Sequence, residues 1–87
     1  MTKFYIRLNV YNYDASPRGQ SVRKYFFSEE KARTTAWRLQ RLIGWRGPGE
    51  NRSGAWLERN FRIYGFVESI EGVYREETTQ LAEGASA

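Results

Sequence analysis

Arg33, Trp37 and Arg41 stand four residues apart in a segment with helical periodicity. At 100° per residue they form one ridge opposite the apolar stripe Ala32, Ala36, Leu39 and Ile43, with Lys31 and Arg38 nearby. Guanidinium groups beside an indole ring bind carboxylates, phosphates and flat π faces. The ridge is therefore a candidate contact face. The structural alternative is that Trp37 packs beneath residues 44–56, with the arginine stems covering it. A second candidate is the strand face carrying Tyr5, Arg7, Tyr11, Arg23 and Tyr25. Rings interleaved with arginine on an exposed sheet suit stacking against single-stranded nucleic acid. Cross-strand pairing that stabilises a half-exposed sheet is the alternative there. A third is the glycine-rich stretch that begins Trp45-Arg46 and contains Arg52. It does not match Gly-x-x-x-x-Gly-Lys-Ser/Thr, and it follows a helix instead of opening one. It reads as a basic contact loop and not as a nucleotide cradle.

The predicted partner-binding set is thus Arg33, Trp37, Arg38, Arg41, Trp45, Arg46 and Arg52. The sheet-face set Tyr5, Arg7, Tyr11, Arg23 and Tyr25 is the alternative. No catalytic residue, metal site or cofactor is expected. The 87 residues include no His and no Cys. That removes the imidazole base, the thiolate nucleophile, the disulfide and the common zinc ligands. Glu29 and Glu30 read as a helix first turn, where the dipole favours carboxylates. Glu68, Glu71, Glu76 and Glu77 read as a solvated acidic edge.

Charge is unevenly distributed. Thirteen of the 14 basic residues precede residue 63, against Asp14, Glu29, Glu30, Glu50 and Glu58, a net of +8. Residues 63–87 carry Arg75 against five glutamates, a net of −4. A basic first part points to an acidic or polyanionic partner. Arginine is the prevailing base, which reads as phosphate and carboxylate recognition or as the codon bias of a GC-rich genome. No stretch approaches the ~18 apolar residues of a membrane span, and no apolar leader follows Met1. A cytoplasmic protein without membrane contact is expected.

The elements that must position these residues follow from periodicity. Phe4, Ile6, Leu8 and Val10 alternate with Tyr5, Arg7, Asn9 and Tyr11, which predicts a strand with one apolar face; Tyr13 follows at the same spacing. Residues 14–19 are turn-formers, and Ser21–Phe27 is the second strand of an antiparallel hairpin. Ser28 is a helix N-cap. The helix runs to about Ile43, and Gly44 ends it. Ser53 could cap a short turn containing Trp56 and Leu57, or that segment stays loop. Phe61–Glu68 alternates as a third strand, Glu71-Gly72 is a turn, and Val73–Glu77 is a fourth strand. This predicts an α+β domain over residues 1–77, ordered ββαββ, with one helix on one face of an antiparallel sheet. Residues 78–87 read as a flexible tail.

The run Tyr25-Phe26-Phe27-Ser28-Glu29-Glu30-Lys31-Ala32 resembles the strand-to-helix junction of integrase-type sheet-plus-helix DNA-binding domains. In that family the sheet lies in the major groove and the helix supports it from behind. Two further strands are expected here after the helix, so that family's DNA-contacting residues do not transfer. In size, lack of Cys and strand–strand–helix start, the chain also resembles small phage-encoded inhibitors of host defence, including anti-CRISPR proteins. That resemblance of type implies a non-enzymatic inhibitor that covers a working surface of a larger complex. The implied partner is a protein or ribonucleoprotein complex. An acidic C-terminal third would suit mimicry of nucleic acid. A direct DNA- or RNA-binding module is the alternative.

Overall fold

The computed structural model describes residues 1–44 and 51–77. Its elements are β1 (Thr2–Asn12), β2 (Gly19–Phe26), α1 (Glu29–Ile43), α2 (Gly54–Phe61) and β3 (Gly65–Glu77). The three strands form one antiparallel sheet in the order β2-β1-β3. The chain is α+β as expected, but the order is ββααβ.

β1 is the central strand, and its alternation sets the two sides of the sheet. Ile6, Leu8 and Val10 are fully buried, and they face the helices with Val22 and Phe26 of β2. Burying each such side chain contributes roughly 1.5–3 kcal/mol. Tyr5, Arg7, Asn9 and Tyr11 point to the opposite, open side. The hairpin connection is held by Asn12, whose N–H donates to the Arg18 carbonyl at 2.7 Å. Its side-chain oxygen accepts the Asp14 N–H at 2.8 Å.

α1 forms where Ser28 caps it: the Ser28 hydroxyl accepts the Lys31 N–H at 3.3 Å. Ala32 and Leu39 are fully buried, and Ala36, Leu42 and Ile43 pack around them. The stripe read from the sequence is therefore the buried face. Gly44 ends the helix, although with φ −79° and not in the left-handed conformation.

Two expectations are corrected. The first concerns residues 65–77, which form one strand of 13 residues and not two strands around a Glu71-Gly72 turn. Two bulges explain the misreading. Along β1, Arg7 and Leu8 pair with Gly72 and Ile70, and Asn9 and Val10 pair with Ser69 and Val67. Glu71 and Glu68 are thus extra residues, each opposing no β1 residue of its own. The inward side chains become Val67, Ile70 and Val73, a spacing of three that breaks the period of two. Gly72 supplies the positive φ of 152° that an L side chain rarely adopts. Phe61 and Ile63, expected in the third strand, precede β3.

The second correction is the second helix. α2 packs Leu57 fully into the core, so two helices cover the sheet. Ser53 stands at its N-cap position, but its hydroxyl makes no cap bond. Instead the buried Ser53 Oγ accepts the Val67 N–H at 2.7 Å and donates to Asn51 Oδ1. Asn51 Nδ2 donates to the Val67 carbonyl at 2.6 Å. Together these side chains satisfy both backbone groups of Val67 and pin the start of α2 to β3.

Truncating Leu39→Ala is expected to cost about 2–5 kcal/mol, a large share of a small domain's stability. The check is a lowered urea midpoint at unchanged slope. The two strand-end glycines give a paired test. A Cβ at Gly65 would lie 1.7 Å from the Tyr11 carbonyl oxygen, whereas nothing stands within 4 Å at Gly19. Gly65→Ala should lower the melting temperature clearly by forcing β1 and β3 apart. Gly19→Ala should leave it unchanged or raise it.

Candidate functional site

The two candidate faces lie on opposite sides of the molecule. α1 turns Ala32 and Leu39 to the sheet, so its Arg33–Trp37–Arg41 side faces outward, away from the sheet. The Tyr5–Arg7–Tyr11 side of β1 opens on the sheet's far surface.

On the sheet surface, the structure brings the expected Tyr5, Arg7, Tyr11, Arg23 and Tyr25 together and adds partners to them. Register places Tyr25, Tyr5 and Tyr74 in one row across all three strands. Tyr5 lies 5.2 Å from each neighbour, stacked on Tyr74 and tilted against Tyr25. At the other end Tyr11 stacks on Phe66 at 5.3 Å, and Tyr13 meets Tyr64 at 4.9 Å. Arg23 lies over the Tyr5 ring at 4.7 Å, and the Arg18 guanidinium donates to the Tyr11 hydroxyl at 2.8 Å. Both guanidinium groups are held above their usual pKa, chiefly by the tyrosine hydroxyls they bond. They carry fixed charges at any physiological pH.

The carboxylates of β3 meet this same surface. Glu71 lies 3.6 Å from the Arg7 guanidinium, and Glu76 lies 3.9 Å from Arg23. Each pair is half-exposed and contributes at most about 1 kcal/mol, but each offsets a positive charge. The cross-strand pairing expected as the structural alternative is thus realised here. Tyr74, Phe66, Tyr64, Lys3 and Arg18 belong to this surface and escaped the sequence reading. Tyr74 did so because the bulges at Glu68 and Glu71 hide the register of the strand beyond them.

The α1 exterior has a different balance. Trp37 is 64% exposed, with the Arg41 guanidinium 4.9 Å from its ring centroid. Residues 45–50, part of the stretch the sequence alternative placed over Trp37, lie outside the described residues. Arg33 is paired along the same ridge: its Nε and Nη2 both donate to Glu29, one turn before it, at 2.9 and 2.7 Å. Among the described residues, no carboxylate forms an ion pair with Arg38 or Arg41.

At the C-terminal end of α1, the Arg52 N–H donates to the Leu42 carbonyl at 3.0 Å. That bond draws the chain after the 45–50 segment back onto the helix. Arg38, Arg41, Leu42 and Arg52 then line a cleft of about 290 Å³. A second hollow of similar volume shares Arg38 and is lined also by Phe26, Glu30, Lys31, Thr34 and Thr35. Four expected residues, Trp37, Arg38, Arg41 and Arg52, are therefore gathered. Trp45 and Arg46 lie outside the described residues. The bond from Arg52 to Leu42 has no counterpart in the sequence pattern, so the cleft was not foreseeable.

What this arrangement can do is bind. It offers planar, permanently charged donors and one open π face. Among the described residues no group of three acidic side chains is placed to hold a metal ion, and no helix is long and apolar enough to cross a membrane. No protein-family model, curated protein or solved structure matches this chain.

Proposed function

We propose that this chain is a non-enzymatic binding protein that engages a larger nucleic-acid-handling complex through the α1 exterior. One observation carries the reading: an indole left 64% exposed at the centre of a basic surface. A tryptophan presents about 150–250 Å² of buriable surface. Leaving most of it in water forgoes roughly 2–4 kcal/mol at the usual ~25 cal/mol/Å². A partner that covers Trp37 recovers that free energy. Trp and Arg are also the residue types most enriched among interface hot spots.

Charge supports the same choice of face. The acidic residues of β3 that lie beside Arg7 and Arg23 are far from α1. Among the described residues of α1, Lys31, Arg33, Arg38 and Arg41 stand against Glu29 and Glu30, and Glu29 is taken by Arg33. The surface suits an acidic or polyanionic partner. The resemblance in type to small phage-encoded inhibitors, anti-CRISPR proteins among them, supports a cytoplasmic inhibitor that acts by occupying such a partner's working surface.

The test is affinity capture from source-cell lysate, with and without nuclease, using the wild-type chain and the double variant Trp37→Ala/Arg41→Ala. The expected outcome is a partner complex retained by the wild type and lost by the variant. The variant's melting temperature should stay within about 4 °C, since exposed substitutions typically change stability by less than ~0.5 kcal/mol. Equal retention by both chains, or loss of folding in the variant, would remove the proposal.

A further inference from the structure

We infer that the arginine-lined cleft beside Trp37 is a single-stranded nucleic-acid site, in which the cleft takes backbone phosphate and the Trp37 ring takes a base. The inference rests on the α1 exterior being the working surface and specifies what that surface touches.

Arg38, Arg41 and Arg52 line one hollow whose only other described lining residue is Leu42. A carboxylate partner is satisfied by one planar fork. A hollow of about 290 Å³ bordered by several arginines suits an anion with acceptor oxygens on several sides, as phosphate has. Arg41 belongs to both parts of the site, lining the cleft while lying 4.9 Å from the Trp37 ring. A phosphate held by Arg41 therefore lies near the exposed Trp37 ring, whose face away from Arg41 is the one a base would stack on.

The surface also has the extension that a strand requires. Arg38 is shared with the second hollow, where Lys31 supplies a further cation and Glu30 the opposing charge. From Lys31 to Arg41 the helix rises about 15 Å. A basic track with a stacking ring is how sequence-tolerant single-strand binders work. A duplex hides its base faces and cannot use the exposed indole. The sheet face is the less favourable alternative, because its rings already stack on one another and Glu71 and Glu76 sit among its arginines.

The experiment is fluorescence anisotropy of the full chain. Its probes are labelled oligothymidine of about 12 nucleotides, within the site sizes of such binders, a duplex of equal length, and labelled poly-glutamate. Salt is varied from about 50 to 200 mM. Oligothymidine is expected to bind more tightly than the duplex, with an affinity that falls as salt rises by about 0.7 log units per log unit for each phosphate neutralised. Arg38→Gln should reduce that slope by about one such increment. Trp37→Ala should weaken binding roughly 5- to 150-fold, the range for one lost stacking contact, with the salt slope retained. Arg41→Lys keeps the charge but loses the planar contact with Trp37, and should also weaken binding. Arg23→Gln, on the far side, should have no effect; circular dichroism confirms folding of each variant.

No oligothymidine binding at about 50 mM salt would overturn the inference. Binding of poly-glutamate alone would also overturn it, while leaving the α1 exterior as a surface for an acidic protein. Oligothymidine binding lost with Arg23→Gln but kept by Trp37→Ala would move the site to the sheet and overturn both readings.

Discussion

Everything in this fold is referred to β1. It is the one strand that pairs on both edges, with β2 and with β3, and it supplies three of the seven fully buried apolar side chains. Its strict alternation commits Ile6, Leu8 and Val10 to one side and Tyr5, Arg7 and Tyr11 to the other. A slip of one residue would exchange the two sets. That single constraint decides where the helices must lie, and hence that the α1 exterior and the tyrosine face point in opposite directions.

β3 adapts to this frame by bulging. Its inward residues Val67, Ile70 and Val73 can meet β1's alternation only if Glu68 and Glu71 are extra residues in the ladder. The bulge at Glu71 leaves its carboxylate free to reach Arg7, and the unbroken alternation beyond it sets Glu76 near Arg23. The negative charge of the C-terminal part is thereby laid against the positive charge of the hairpin. Among the described residues, none of these carboxylates pairs with Arg38 or Arg41 of α1.

The helix side gains its shape from a short-range connection. The Ser53 and Asn51 side chains bond the backbone of Val67, and the Arg52 N–H bonds the Leu42 carbonyl. Three consecutive residues are thus tied alternately to the sheet and to α1. This arrangement fixes the Arg52 backbone across from Arg38 and Arg41, and it begins α2 where the sequence offered only a weak cap.

The sequence by itself determined the hairpin, α1 with its Ser28 cap and buried stripe, and the outward direction of Arg38 and Arg41. Each is a local matter: periods of 2 and 3.6 and a capping hydroxyl act over fewer than about a dozen residues. It also determined the absence of imidazole and thiol chemistry, which composition alone decides. Only the tertiary structure decided the rest. The continuity of β3 depends on register against β1, so Glu71-Gly72, a bulge and its glycine, read locally as a turn between two strands. The second helix depends on Leu57 finding the core and Ser53 finding Val67. The placement of Arg52 beside Arg38 and Arg41 depends on a backbone bond to Leu42 that periodicity does not encode. Residues distant in sequence acquire a common chemistry only when backbone pairing sets the distances between them.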